Sequence, residues 1–414
     1  MGIVENNLGQ HAASLHHLQQ ALEVRRINEG EESIGVADVH HSKGQVYDSQ
    51  GLYELAAREH QTALEIKLRL CDPQDDSIAT SYNSIGAVAM NLGNMDSARH
   101  SFEKALEIRL TSLGPNHPQT AMLYGNLAAA SNGLSEDPMA MQQALDLRIK
   151  SLHTFQSSLG RDHPTTADSH LSLGLQYEEM GAIEAARENL EKALAIYRHA
   201  FGDEHPATAK ALNDLGGLLI NQEDYTTGAQ YLQQALELRK KTLSPTHPLV
   251  GESYDNLGSL HLNQMQFEEA IANYTHALEI RQEAVGPFHS DTQKSQRHLI
   301  TTYENMGNLH QAQGSIDNAI ICYRTARDRC LRVFGPADAI TVELVAKLVE
   351  LGVDVQQCLQ VCRLNLIKLH VTLMKITQLT NTSVRRLFGT RVVAKVDIIY
   401  SPDLFTSMFT HCHT

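Results

Sequence analysis

The sequence contains no tryptophan, and aromatic residues fill only 5% of its 414 positions. A core without large rings has to be built from Leu, Ala and Ile. Cysteine is also sparse: the six residues at 71, 322, 330, 358, 362 and 412 give no disulfide framework and suit a reducing, cytoplasmic setting. No run of roughly 18 apolar residues occurs, so no membrane-spanning helix is expected. The N-terminus lacks the basic stretch and apolar core of a secretion signal, and Asn6 stands where a myristoylation signal after Gly2 needs Ser or Thr. Basic residues are in deficit: the net charge is -14, with -18 on residues 1–350 and +4 on residues 351–414. So acidic a body repels phosphate backbones and anionic lipid, which disfavours nucleic-acid and membrane partners. Phosphate-loop, nucleophile-elbow and H-E-x-x-H motifs are all missing. On these grounds no catalytic residue, cofactor or metal is assigned, and the chain is not expected to be an enzyme.

What is present is a pattern. Abundant Ala and Leu with Gln, Glu and His favour helices, because these side chains lose little rotamer freedom there. The segments "LGPNHPQTA", "LGRDHPTTA", "FGDEHPATA", "LSPTHPLVG" and "VGPFHSDTQ" place a His at 117, 163, 205, 247 and 289, the last three steps being 42 residues and the first 46. Between them "ARHSFEKALEIRLTSLG", "ARENLEKALAIYRHAFG", "GAQYLQQALELRKKTLS" and "AIANYTHALEIRQEAVG" repeat in the same register. Each unit reads as two helices. Pro118, Pro164, Pro206 and Pro248 occupy a first helical position, where the missing N–H costs nothing. Gly114, Gly160, Gly202, Gly286 and Gly335 close the second helix. Small residues recur where the two helices would cross: Gly86, Gly174, Gly216 and Gly258 in the first, then Ala98, Ala186, Ala270, Ala105, Ala193, Ala235 and Ala277 in the second.

These residues resemble the tetratricopeptide repeat in its longer form, as in kinesin light chains, nephrocystin-3-like proteins and the sensor arrays of some signalling NTPases. The resemblance implies an all-α, right-handed α-solenoid of tandem antiparallel helix pairs. Residues 1–30 read as a truncated first repeat, which suggests that the natural protein continues upstream of Met1. Seven repeats follow, at 31–72, 73–114, 115–160, 161–202, 203–244, 245–286 and 287–335, and then a degenerate repeat helix at 336–352. Four extra residues, Ser135 to Pro138, explain the 46-residue step. Seven more before Met306-Gly307 lengthen one first helix by about two turns. From 353 to 414 glutamate disappears and the signature stops; this tail reads as a cap, the start of another domain, disorder or an artefact of gene prediction.

The five recurrent histidines invite a metal reading, but successive units stand on the order of 20 Å apart and zinc ligands about 2 Å from their ion. They read instead as punctuation at helix starts. Cys358, Cys362 and the terminal His411-Cys412-His413 lack the spacing of a zinc site, and free cysteine is commonly a small buried hydrophobe. What remains is surface. By the resemblance, the first helices line a concave groove that takes an extended peptide or helix of a protein partner. Asn83, Asn91, Asn126, Asn213, Asn221, Asn256, Asn263 and Asn305 are its candidate contacts. Among them Asn126, Asn256 and Asn305, just before the Leu or Met of their signatures, would by resemblance bond the peptide backbone; the other reading is that some of the set stabilise inter-repeat turns. Lys210 is among few cations on the first helices, which favours a neutral or basic peptide over an acidic one. The expectation is a non-enzymatic scaffold or adaptor of kinesin light chain-like type, with kinesin heavy chain or cargo as partners implied by the resemblance. No sustained heptad pattern precedes residue 32 to join a motor. The alternative is the ligand-sensing repeat region of a larger signalling NTPase.

Overall fold

The computed structural model describes residues 11–132 and 138–354. Sixteen α-helices and no strand are found among the described residues. They are α1 His11–Glu29, α2 Ile34–Ser49, α3 Tyr53–Leu70, α4 Asp76–Asn91, α5 Met95–Ser112, α6 Pro118–Asn132, α7 Pro138–Ser158, α8 Pro164–Glu179, α9 Ile183–Phe201, α10 Pro206–Asn221, α11 Tyr225–Thr242, α12 Pro248–Asn263, α13 Phe267–Ala284, α14 Ser290–Ala312, α15 Ile316–Val333 and α16 Ala339–Glu350. The chain divides into two compact units, Met1–Leu260 and His261–Thr414. In the first, α2–α3, α4–α5, α6–α7, α8–α9 and α10–α11 form helix pairs, and α3, α5, α7 and α9 each also pack on the next first helix. In the second, α13, α14, α15 and α16 pack consecutively. The architecture is the all-α repeat array that the sequence implies.

Local chemistry starts each pair. His117, His163, His205, His247 and His289 accept at Nδ1 from the backbone N–H two residues on, at 3.3, 3.2, 3.1, 3.2 and 3.2 Å. An accepting Nδ1 puts the ring proton on Nε2, so each imidazole is a neutral cap for a backbone N–H at the helix start. Ser33, Asp75 and Asp338 take the same role at α2, α4 and α16. A threonine three residues after the capping residue adds a clamp: Thr120, Thr166, Thr208, Thr292 and Thr341 donate to the carbonyls of Gly114, Gly160, Gly202, Gly286 and Gly335 at 2.7–3.0 Å. Those glycines have φ between 84° and 102°, the left-handed region that side chains disfavour.

Packing fixes the crossing. A Cβ on Gly86 would come within 2.6 Å of Phe102, on Gly174 within 2.9 Å of Leu190, and on Gly216 within 2.9 Å of Leu232. Each pair is sixteen residues apart, so one contact is rebuilt in three of the repeats. His60 over Gly44 and Tyr323 over Gly307 occupy the same place.

Five residues before each closing position lies a second recurrent core residue, and it is largely polar. Lys67, Arg109, Phe155, Tyr197, Arg239, Arg281 and Cys330 are all buried there. Arg239 Nη1 donates to Leu249 O at 2.6 Å and Ser253 Oγ at 2.8 Å. Arg281 Nη1 repeats this with Asp291 O at 3.0 Å and Ser295 Oγ at 2.7 Å. Arg109 reaches Gln119 O, Asp76 and Thr80, and Tyr197 donates to Asp168 at 2.5 Å. A guanidinium presents several donors in a fixed fork, so one side chain ties the end of one repeat to the start of the next.

The two sequence irregularities resolve differently. Helix α14 runs unbroken for 23 residues against 16 in α10, which accommodates the seven added residues as two helical turns. In α7 the run Ala144-Leu145-Asp146-Leu147-Arg148 imitates the "ALELR" of α11 but lies two turns early. Arg148 donates to Gln176 Oε1 at 3.0 Å, Phe155 fills the arginine's place, and Ser151 Oγ bonds Ala121 O at 2.7 Å. Residues 1–10 and 355–414, which hold most of the tail with Cys358, Cys362, His411, Cys412 and His413, lie outside the described residues.

Candidate peptide-binding face

In the first unit the first helices of successive repeats present one solvent-facing stripe each. On α4 it runs Thr80, Ser84, Ala87, Asn91; on α6 Met122, Asn126, Ala129; on α8 Asp168, Ser172, Leu175, Glu179; on α10 Lys210, Asp214, Gly217, Asn221. On α12 it runs Glu252, Asn256, Ser259, and all of these residues are half-buried or exposed. Steps of three and four keep each set on one helix face.

Hydrogen bonds join the stripes sideways. Asn91 Nδ2 donates to Asp48 at 3.1 Å, Asn126 Nδ2 to Asn83 Oδ1 at 2.9 Å, and Asn221 Nδ2 to Glu178 at 2.8 Å. Asn132, which the sequence pattern does not single out, donates to Gln176 and Glu179 at 2.7 Å each. These bonds span neighbouring repeats, 43–47 residues apart. Asn83, Asn91, Asn126 and Asn221 therefore hold the face together while staying at least partly accessible.

The remaining candidates divide. Asn256 is half-buried on the stripe. Asn213 is wholly buried; it donates to Glu252 at 3.3 Å and accepts from Ser253 Oγ at 3.4 Å, so its side chain packs between α10 and α12 and offers no surface to a ligand. Asn263 and Asn305 fall in the second unit, the first exposed and the second half-buried. The structure thus brings together Asn83, Asn91, Asn126, Asn221 and Asn256 within one unit.

The face is electrostatically one-sided. Lys210 is the only Lys or Arg on α4, α6, α8, α10 and α12, against Asp168, Glu178, Glu179, Asp214 and Glu252, while Asp76 pairs with the buried Arg109 at 3.0 Å and Asp255 is itself buried. Burial raises the carboxyls of Asp48 and Glu178 above the ordinary range. Asp214 is pushed up to about 6, first by burial and then by the neighbouring charge of Glu252. Arg239 pairs with Glu252 at 3.2 Å from within the core. Two open depressions, of about 570 and 470 Å³, lie elsewhere, against α7 at Asp146, Lys150 and His153 and against α9 and α11 at Arg198, Glu237 and Lys241. Among the described residues no group of three or more His, Cys, Asp or Glu is arranged to hold a metal, and no helix is long and apolar enough to cross a membrane.

Comparison with known proteins gives a family model described as tetratricopeptide repeat at residues 1–69, 77–138, 140–199, 171–225 and 207–283. A second model of the same description matches residues 299–339. A search of curated proteins finds no match. Among solved structures, the apo form of RapI is similar at 15% identity over 76% of this chain and 99% of that one, with a TM-score of 0.50. BtubC (BKLC) from P. vanneervenii shares 20% identity over 56% of this chain and 91% of its own, with a TM-score of 0.48. A putative kinesin light chain of Podospora anserina with nearly identical TPR-like repeats shares 21% identity over 50% of this chain and 95% of its own, with a TM-score of 0.43. At these identities the likeness is one of fold.

Proposed function

The chain belongs to the tetratricopeptide repeat family, and from that premise we propose that it is a non-catalytic scaffold that binds an extended, neutral-to-basic peptide segment of a partner protein on the first-helix face of residues 11–260. One observation carries this reading. The face is a continuous strip of amides, hydroxyls and carboxylates joined across repeats, and Lys210 is its one cation among the described residues. Amide side chains offer both a donor and an acceptor, which suits an extended backbone. An excess of carboxylates selects against acidic segments and attracts basic ones. A kinesin light chain-like adaptor role is the finer form of the proposal.

The test is titration of the full chain with arrayed acidic, neutral and basic peptides of matched length. Basic peptides are expected to bind best, with affinity that falls as salt rises. The N126A/N256A double variant should lose about 10-fold, the scale of two backbone hydrogen bonds, with its helix content unchanged. Preference for acidic peptides, or unchanged binding by the double variant, would overturn the assignment of this face.

A further inference from the structure

The helix pair at the start of the described array carries an anomaly unrelated to the binding face. At the place where Phe102 packs over Gly86, Leu190 over Gly174 and Leu232 over Gly216, the α2–α3 pair has His60 over Gly44, with His60 Cε1 only 2.6 Å from where a Cβ on Gly44 would stand. His60 is 1% exposed. The ring of His41 lies beside it, centroids 4.9 Å apart and tilted by 55°. The Nδ1 atoms of both rings are buried without a hydrogen-bond partner.

We propose that the α2–α3 pair is an acid-released element, held shut while His41 and His60 are neutral and opened when they take up protons. The surrounding charges explain the direction. Lys67 of α3, 3% exposed, lies close enough to oppose a positive charge on either ring, and its own charge is answered by Asp38 of α2 at 3.5 Å. Glu59 favours a charge on His60, but it is already engaged by His40 at 2.6 Å and Lys43 at 2.8 Å. From α1, Arg25 and Glu29 meet α2 at Gly35 and pair with each other. From the start of α4, Asp75 interacts with Lys67. Asp38 favours a charge on His41 but is shared with Lys67, and neither Nδ1 has a hydrogen-bond partner, so a proton on either ring would place a cation beside Lys67 without an acceptor of its own at that nitrogen.

Burial, the largest cause, lowers both rings from the ordinary 6.5 to about 4. A histidine depressed in the folded state stabilises fully above its unfolded value and loses that stability as pH falls toward the folded value. Between about pH 7 and about pH 5 the opening equilibrium should rise about 20-fold for one such ring and up to a few hundred-fold for both. Opening would also break the Asp48–Asn91 bond and uncover the side of α4 on which α3 packs.

The experiment is hydrogen exchange on the full chain, comparing residues 34–70 with α14–α15, whose crossing is Tyr323 on Gly307. The ratio between the two regions cancels the intrinsic effect of pH on exchange. Protection of residues 34–70 should fall selectively at about pH 5. The H41N/H60F variant copies Asn83 and Phe102, the residues at the matching places of α4 and α5, and should abolish the selective loss. A ratio that does not move with pH in the wild type, or moves equally in the variant, overturns the proposal. The imidazole resonances give a second readout: rings that stay neutral below about pH 5 support it, and rings that titrate near the ordinary value refute it.

Discussion

Gly216 and Gly217 are consecutive residues of one helix, yet adding a methyl group to each should have opposite effects. In a helix interior Ala is favoured over Gly by about 1 kcal/mol, so the intrinsic gain is shared. The surroundings are not. A Cβ on Gly217 meets nothing nearer than Asn256 Nδ2 at 4.0 Å, an ordinary contact, and G217A should keep the full gain of about 1 kcal/mol. A Cβ on Gly216 would stand 2.9 Å from Cγ and Cδ2 of Leu232 and 3.1 Å from the carbonyl oxygen of Gly228. Leu232 is 0% exposed and has no room to swing. Restoring carbon contacts of about 3.5–4.0 Å requires α10 and α11 to part by at least half an ångström or so. Overpacking of this kind costs roughly 1–3 kcal/mol, and the upper end applies because backbone must move. G216A should therefore lose about 1–2 kcal/mol net, leaving the variants about 2–3 kcal/mol apart. Repeat arrays need not unfold in two states, so the measurement is the opening free energy of α10 and α11 from hydrogen exchange, with the urea midpoint as a check. Equal stability of the two variants, or a destabilised G217A, would refute the crossing geometry.

Two further substitutions probe the polar core. R239M should destabilise the first unit by about 3–5 kcal/mol, because it leaves the Leu249 carbonyl, Ser253 and the charge of Glu252 without their partner; a loss below about 1 kcal/mol in urea titration would show that the guanidinium is not a tie between repeats. D214N should stabilise the protein, with a sign set by the raised carboxyl: the folded state holds the proton more tightly than the unfolded chain, so ionised Asp214 withdraws stability as pH rises from about 4 to about 6. Stability curves of D214N and wild type should meet near about pH 3.5 and stand apart by at most about 3 kcal/mol above about pH 7; parallel curves would contradict the burial of Asp214.

Much of the fold was legible because its signals are local. The His-Pro step marks a helix start since a neutral imidazole can cap a backbone N–H and proline needs none, and both facts hold before any tertiary structure forms. The closing glycines are equally local: no neighbour has to be known to see that a left-handed residue ends a helix. The buried arginines were in plain view in "ALEIR" and "ALELR", but nothing within one repeat says that their donors are taken up by carbonyls ten residues on. The "ALDLR" of α7 shows the converse. It copies the string without the position: Arg148 lies seven residues, about two turns, ahead of the place the guanidinium takes in α5, α11 and α13, and Phe155 stands there instead.

The asparagines show why the site was harder to read than the fold. Asn213 stands seven residues after Pro206, and Asn256 eight after Pro248. One residue turns a helix by about 100°, which carries the first into the contact between α10 and α12 and leaves the second on the open stripe. Amides are equally at home in both places, so composition cannot separate a ligand contact from a tie between repeats; only the step from the capping histidine can. Asn126, also in the eighth place, faces the same stripe as Asn256 and bonds Asn83 across the repeat boundary. Its substitution therefore touches both recognition and the seam, whereas Asn256 sits on the stripe with no side-chain hydrogen bond to a neighbour among the described residues. Comparing N256A with N126A thus separates ligand contact from support: loss of peptide binding in both marks the stripe as the recognition surface, and loss in N126A alone assigns the effect to the seam.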